Sequence, residues 1–331
     1  MKHAGGIARW RVILVLLLLA LGTAGALLWQ DWTRFRDAPL AVPTQGLHLD
    51  IRRGTGFKQI VAQLQAEKLS AAPALYWRAL AERMRVTDRL HAGEYALEPG
   101  LTPSALLRML ATGAVLQHHV TLVDGWTFRQ FRAALDAAPE LKHATDGLDD
   151  AEVMRRLDLA DENPEGRFLP ETYAYIKGDS DLDVLAHAHA AMEKLLAAAW
   201  PERTKGLPLK SPYEALILAS IVEKETGRAD ERARIAGVFT RRLEIGMPLA
   251  TDPTIIYGMG AAYHGNIRKR DLKTDTPYNT YLRAGLPPTP IAMPGKAAIL
   301  AALHPQAGDD LYFVARGDGS GGHVFSASLR E

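Results

Sequence analysis

Eighteen consecutive residues without a charge, Val12 to Trp29 (VILVLLLLALGTAGALLW), constrain this chain more than any other stretch. At about 1.5 Å per residue, a helix of that length covers most of a bilayer core. Lys2, Arg9 and Arg11 precede the run, which places the N-terminus in the cytoplasm by the positive-inside rule. Trp10, Trp29 and Trp32 bracket it, as aromatic anchors do at the two interfaces. A cleaved signal peptide is the competing reading, because Ala24-Gly25-Ala26 has the small-x-small form of a cleavage site. Against it, apolar residues continue through Leu27, Leu28 and Trp29, past the point where a cleaved segment turns polar. Under either reading the chain from about residue 31 onward is exported. No second apolar run of that length follows, so the remainder is expected to be one soluble body on the outer face.

Charge and cysteine usage narrow the chemistry. Lys and Arg number 39 against 38 Asp and Glu, a net charge of +1, which argues against a nucleic-acid binder held by a broad basic surface. Apolar residues make up 47% and charged residues 23%, as in folded rather than disordered protein. Cysteine is absent, which removes disulfides, thiolate catalysis and Cys-ligated metal centres together.

Beyond the apolar run, Leu47 to about Thr112 reads as strand, helix, helix, strand, helix. Leu47-His48-Leu49-Asp50-Ile51 alternates like a half-buried strand, and Phe57, Ile60, Val61 and Leu64 recur at helical spacing after the Gly54-Thr55-Gly56 break. Leu75 to Met84 is a second helix, Gly93 to Leu97 a second strand, and Thr102-Pro103 opens a helix through Leu106, Leu107 and Leu110. Such a unit has the general shape of LysM-type glycan-binding modules, although many βααβ units bind nothing. His118 to Val123 is a further strand, followed by a helix through Phe128, Phe131 and Leu135. The acidic, punctuated stretch from Pro139 to Glu165 is a candidate boundary. Helices at 182–199, 212–226 and Ala229 to Ile245 follow, then a long Gly/Pro-rich region from Gly246 to Pro294. A helix (Lys296 to Leu303) and a strand pair (Leu311 to Ala315, His323 to Ser326) complete the pattern.

One helix concentrates the candidate chemistry. Ser211-Pro212-Tyr213-Glu214 is a strong helix start, and Gly227 stands where a terminating glycine is expected. At about 100° per residue, Leu218, Ile221, Val222 and Glu225 share one face. Glu223 falls about 160° away, beside Leu216 and Ser220 on a more mixed face. Partial burial and the negative end of the helix dipole both favour the protonated form of Glu225. A carboxylic acid protonated near neutral pH is what a general acid in glycosidic cleavage requires. The plain alternative is an ordinary surface Glu-Lys-Glu cluster.

Thr251-Asp252-Pro253-Thr254, Tyr257-Gly258, Tyr278-Asn279-Thr280-Tyr281 and the proline-dense stretch from Gly285 to Gly295 then follow. Such a density of Tyr, Asn, Thr and Pro suits a loop-built groove offering aromatic faces and hydroxyl or amide groups to a polysaccharide. A structural Ω-loop stiffened by proline accounts for it equally well.

Taken together, LASIVEKET (218–226), FTRRLEIGMPLATDPTIIYGMG (239–260), TPYNTYLRAGLPPTPIAMPG (276–295), ALHP (302–305), GGHVFS (321–326) and FLPETY (168–173) resemble the YceG-like endolytic murein transglycosylases over essentially the whole chain. The resemblance implies an α+β protein with three parts: a cytoplasmic N-terminus and transmembrane anchor at 1–34, a LysM-like subdomain at 35–115, and a larger mixed α/β catalytic domain with a loop-built groove at 116–331. It implies that the second glutamate of the EKET motif, Glu225, is the catalytic acid, and that Asp252, Tyr257, Tyr278, Asn279 and Glu171 position substrate. One departure is the end at Glu331, where family members usually continue with a short tail; it leaves the packing of the last turn open.

The implied reaction is cleavage of MurNAc–GlcNAc bonds in nascent glycan strands, giving 1,6-anhydroMurNAc ends. Glu225 protonates the bridging oxygen and, as carboxylate, accepts the proton of the C6 hydroxyl that closes onto C1. The attack is intramolecular, so its entropic cost is already met. No metal or organic cofactor is needed. The implied setting is the bacterial inner membrane, with a periplasmic catalytic domain ending strand growth beside peptidoglycan synthases. A membrane-tethered peptidoglycan-binding scaffold without turnover is the rival from another class, and a muramidase that uses water is a third reading. His187 and His189 are two apart on a helix and lack metal-ligand spacing, and His118 and His119 point to opposite sides of a strand. Ser220 lacks a nucleophile elbow, and no Walker A or dinucleotide fingerprint occurs. His304 and His323 are equally readable as groove residues or as turn-stabilising ones.

Overall fold

The computed structural model describes residues 4–329. Lys2, one of the expected flanking cations, and Glu331 lie outside the described residues. The fold is mixed α+β, in two compact units, Met1–Gln117 and His118–Glu331.

The first unit opens with α1 (Ala4–Asp37), a single helix of 34 residues. Its segment Ile13–Asp37 is long and apolar enough to cross a membrane, with mean hydropathy 2.1 and none of its most apolar window buried. The helix does not stop at the apolar run. Trp32 meets Tyr76 edge-on at 5.7 Å, Phe35 meets Trp77 at 5.3 Å, and the Tyr76 hydroxyl donates to Asp31 at 2.9 Å. The elements β1 (Leu47–Ile51), α2 (Phe57–Ala66), α3 (Ala74–Met84), β2 (Gly93–Leu97) and α4 (Pro103–Thr112) follow. β1 and β2 pair antiparallel with Leu49 opposite Tyr95 and Leu47 opposite Leu97. Period-two alternation puts Leu49, Ile51, Tyr95 and Leu97 on the buried face, where α2 adds Ile60, Val61 and Leu64 and α4 adds Leu106, Leu107 and Leu110. α4 is capped at its start by Thr102, whose hydroxyl accepts from Ala105 N at 3.2 Å, and at its end by Gly113 at φ +65°.

The second unit begins within β3 (Gln117–Thr121) and continues through α5 (Phe128–Asp136), α6 (Asp150–Arg156), β4 (Thr172–Ile176), α7 (Asp181–Ala199), α8 (Pro212–Glu225), α9 (Arg232–Glu244), α10 (Asp252–Met259), α11 (Lys296–Leu303), β5 (Tyr312–Ala315) and β6 (His323–Ser326). β3 pairs with β4, and β5 pairs antiparallel with β6. One core gathers Val120, Phe128, Phe131, Phe168 and Tyr175 around the β3–β4 pair. The other is built on α8, packed against α7, α9 and α11.

Four sequence expectations change. The acidic stretch from Pro139 to Glu165 does not divide the chain; it lies inside the second unit. Its charges are taken up locally: Asp149 caps α6, and Arg132 binds Asp150 together with the carbonyls of Thr145 and Leu148. The region from Gly246 to Pro294 is not all loop, because Asp252–Met259 forms α10 with a proline in its first turn and Thr254 and Ile255 buried. β4 and α6 were not anticipated. Finally, α8 is buried all round, with Leu216 and Ser220 as inaccessible as Leu218 and Ile221, so the face carrying Glu223 is a core face too.

Candidate active site

α8 delivers Glu225 at its last residue. The helix ends without a left-handed glycine: Thr226 is extended (φ −145°, ψ 133°), and Gly227 is not among the residues with positive φ. The chain therefore leaves straight, and the Glu225 carboxyl is met by the segment entering α10. The Thr251 hydroxyl donates to Glu225 Oε1. Thr251 is itself fixed, since its N–H donates to Thr280 Oγ1 at 3.2 Å and its carbonyl accepts from the Thr254 hydroxyl at 2.7 Å. Because that hydroxyl proton is committed, Thr280 is the donor in the 2.8 Å contact between Thr254 and Thr280. Burial pushes the Glu225 pKa up and the nearby Asp252 charge adds to this, while the Thr251 bond, His323 and Arg242 oppose it. Asp252 accepts from the Tyr281 hydroxyl at 2.6 Å.

A second cluster lies along α10. Tyr257 meets Tyr278 edge-on at 4.9 Å, and the Tyr278 hydroxyl contacts Thr289 Oγ1 at 2.8 Å. The Tyr257 hydroxyl donates to Glu165 Oε2 at 3.1 Å, while Glu165 Oε1 accepts from Phe128 N at 3.0 Å. Burial pushes the Glu165 pKa up to about 7, against the effect of those two donors. A carboxyl with a raised folded pKa holds its proton in the native state, so its stabilising effect is complete below the ordinary range and is lost as pH rises through the folded value. Glu165→Gln is therefore expected to flatten the decline in melting temperature between pH 4.5 and about 7. The difference from wild type should reach about 3 kcal/mol at the upper end. Melting curves over that range check it.

Glu171 and Asn279 are placed differently from expectation. Asn279 is fully buried; its Nδ2 donates to the carbonyls of Thr274 (2.7 Å) and Leu272 (3.1 Å), and its Oδ1 accepts from Tyr281 N at 3.0 Å. With both ends of the amide bonded to backbone, Asn279 shapes the loop. Glu171 is exposed and belongs to another carboxylate group, since its charge acts on Asp124. Burial raises the pKa of Asp124, Arg232 opposes the rise, and Glu171 adds to it. Glu223 joins this group, accepting from Gly295 N at 3.0 Å with Arg232 at 4.0 Å.

Comparison with known proteins now fits onto this geometry. The YceG-like family matches residues 49–331. The chain belongs to the YceG-like family. Two relatives bearing the name endolytic murein transglycosylase match it. The Bacillus subtilis protein is 32% identical over 72% of this chain and 70% of its own length. The protein of Streptococcus pneumoniae is 28% identical over 97% of this chain, which spans only 63% of the streptococcal length. A crystal structure of a yceG-like protein from Listeria monocytogenes superimposes with a TM-score of 0.56 at 29% identity, covering 87% of this chain and 98% of that one.

In this YceG-like chain, sequence reasoning assigned no role to Thr251, Tyr281, Glu165 or Glu231, and left His323 between a groove residue and a turn-stabilising one. Only the pattern of Thr251-Asp252-Pro253, a polar pair before a helix-starting proline, pointed toward Thr251. Ser220 is fully buried and structural: its hydroxyl donates to Ile217 O at 2.7 Å, and its oxygen accepts from Ile291 N at 3.0 Å. His189 Nδ1 lies 3.2 Å from Arg167 O, edge-on to Phe168, in a packing role. Asp136, His143 and Asp181 hold potential ligand atoms within 4.8 Å of one another. The Asp181 oxygens, however, already accept from Ala144 N, Leu182 N, Thr145 N and the Thr145 hydroxyl, a donor set that organises backbone.

Proposed function

We propose that this chain is a membrane-anchored endolytic murein transglycosylase, a lyase that cuts MurNAc–GlcNAc bonds of peptidoglycan strands through Glu225. The observation that carries the proposal is a half-buried carboxyl at the last residue of a core helix, steered by Thr251 and inclined toward its acid form. Two-carboxylate glycosidases need a second ionised group as nucleophile or base. Asp252, the neighbouring carboxylate, is engaged by Tyr281. Glu225 protonates the bridging oxygen as the C1–O bond breaks. The C6 hydroxyl of the same sugar then closes onto C1, and with Glu225 acting alone its carboxylate takes the released proton. The names borne by the Bacillus and Streptococcus relatives support this activity.

Tyr257, Tyr278, Tyr281 and Asp252 form the wall of a loop-built groove that orients the glycan. Each of the three tyrosines has its hydroxyl held by a hydrogen bond, so stacking surfaces are fixed before substrate arrives. The strand–helix–helix–strand unit following α1 serves as the LysM-like glycan-holding module. A polar cavity of about 490 Å³ beside β1 and α2, lined by Asp50, Arg52, Thr55, Gln59 and Gln63, suits a hydroxyl-rich ligand. α1 anchors the enzyme in the inner membrane with its N-terminus in the cytoplasm, so the catalytic part is periplasmic and acts beside peptidoglycan synthases on nascent strands. The helix runs unbroken through Ala24-Gly25-Ala26, which favours an anchor over a cleaved signal.

The decisive test is incubation of the full chain in detergent micelles with purified uncrosslinked peptidoglycan, followed by mass spectrometry of the products. Anhydro-ended fragments are expected. Reducing ends would mean a muramidase, and binding without cleavage a scaffold; either overturns the proposal. In the same assay Glu223→Gln is expected to stay within about 10-fold of wild type. The amide keeps an acceptor for Gly295 N and does not touch the reacting bond.

A further inference from the structure

The segment leaving Glu225 leads into a pair that the reaction as described leaves idle. Glu231, at the start of α9, holds His323 of β6 twice: Oε1 accepts the backbone N–H at 3.0 Å, and Oε2 meets ring Nδ1 at 2.7 Å. Burial works to raise the Glu231 pKa, but the ring and backbone of His323 outweigh it and hold the group ionised. An ionised carboxylate only accepts hydrogen bonds, so Nδ1 carries a hydrogen, and in the neutral ring the lone pair then lies on Nε2. Among the described residues no protein group hydrogen-bonds Nε2.

The ring is also mechanically fixed. Phe313 meets it edge-on at 5.4 Å and Phe325 at 6.2 Å, leaving the side chain 12% exposed. Its support is the segment leaving Glu225: Arg228 N donates to Thr226 Oγ1 at 3.0 Å, and the Arg228 guanidinium donates to Ser320 O at 3.3 Å. The β5–β6 hairpin is thereby tied to the residues that follow the acid. A charge on the imidazole is felt by the Glu225 carboxyl.

We propose that His323, oriented by Glu231, is the general base of the cleavage. Its Nε2 takes the C6 hydroxyl proton while Glu225 protonates the leaving oxygen. This rests on the transglycosylase reading above and divides its two proton transfers between two groups. The O6–H bond breaks toward Nε2, and the freed O6 electron pair forms the O6–C1 bond. The C1–O bond to the next sugar breaks, and its oxygen takes the Glu225 proton. The imidazolium then returns one proton to the Glu225 carboxylate, which restores both groups with no net change in charge or oxidation state. A lone carboxyl must be protonated when the leaving oxygen departs and ionised when O6 attacks. Two groups in opposite states allow both events in one step.

The test uses the full chain in micelles and two substrates: uncrosslinked glycan, and a glycan oligomer ending in a MurNAc aryl glycoside whose phenolate leaves without protonation. Glu225→Gln is expected to fail on glycan yet still form anhydro product from the aryl substrate. His323→Ala is expected to lose about 10²- to 10⁴-fold on both substrates. Added imidazoles should restore it, more strongly as their basicity rises, which a structural role would not produce. Glu231→Gln, which can bind either tautomer, should lose about 10-fold or more. Turnover of the aryl substrate by His323→Ala or Glu231→Gln within about 3-fold of wild type overturns the assignment, as does a loss that no imidazole restores. Reducing ends or no products from wild type would instead sink the transglycosylase reading, and the base assignment with it.

Discussion

Replacing Glu225 with Gln is expected to lower peptidoglycan cleavage by about 10³-fold, the scale of a lost general acid. The amide is nearly isosteric and can still accept from Thr251, so glycan binding should persist. Stability should move the other way. Burial raises the folded pKa of Glu225 above its unfolded value, so the wild-type protein binds this proton more tightly when folded. Its stability is then complete below the unfolded pKa and declines as pH climbs toward the folded one, whereas a neutral amide has no such decline. At pH 8 the inactive variant should melt above wild type, and below about pH 4 the two should converge. Rates of fragment release together with melting curves at both pH values check the pair of effects. A variant that is inactive and also less stable at pH 8 would point to a structural role.

Gly166→Ala is expected to cost about 3 kcal/mol and most of the activity at growth temperature. Two penalties coincide there. Gly166 has φ +80°, which for any other residue costs about 1–2 kcal/mol. An added Cβ would also come within 2.5 Å of Pro290 Cγ and 2.7 Å of Pro290 Cβ, part of a rigid ring rather than a flexible tip. Overpacking of that kind adds about 1–3 kcal/mol. Relief can come only by moving the Pro290–Met293 segment, which α8 holds through Ser220 and Ile291 and which contacts Gly166 N through the Met293 sulfur. For a unit of this size the change corresponds to a fall in melting temperature of about 6–12 °C. Thermal unfolding of the variant measures it, and a fall under about 2 °C would show that the proline segment yields freely.

What sequence made visible was whatever depends on near neighbours. Spacing located α2, α4 and α8 because Ile60, Val61 and Leu64, or Leu106, Leu107 and Leu110, report a helix face without reference to the rest of the chain. The same logic singled out Glu225. It misjudged Glu223, because periodicity cannot say that a helix is enclosed on every side, as α8 is by α7, α9 and α11. Nor could it show that Asn279, a polar residue in a Tyr-rich loop, gives its amide hydrogens to backbone carbonyls five and seven residues away. Thr251, Tyr281, Glu165 and His323 reach their partners across 26, 29, 92 and 92 residues, separations that only the folded topology brings together.

The unbroken passage of α1 into the first folded unit makes it a stalk rather than a leash. A flexible tether would let a soluble domain sweep a hemisphere set by its contour length. Here the helix beyond Trp29 rises about 12 Å over eight residues. It is clamped by Trp32, Phe35 and Asp31 against α3 before it ends. With α1 set in a bilayer, as proposed above, the βααβ unit would ride at one altitude above the lipid headgroups. Lengthening the helix by whole turns, about 5.4 Å each, would raise that altitude in steps without altering any contact in the module. The stalk would then act as a gauge of how far from the membrane a strand is held.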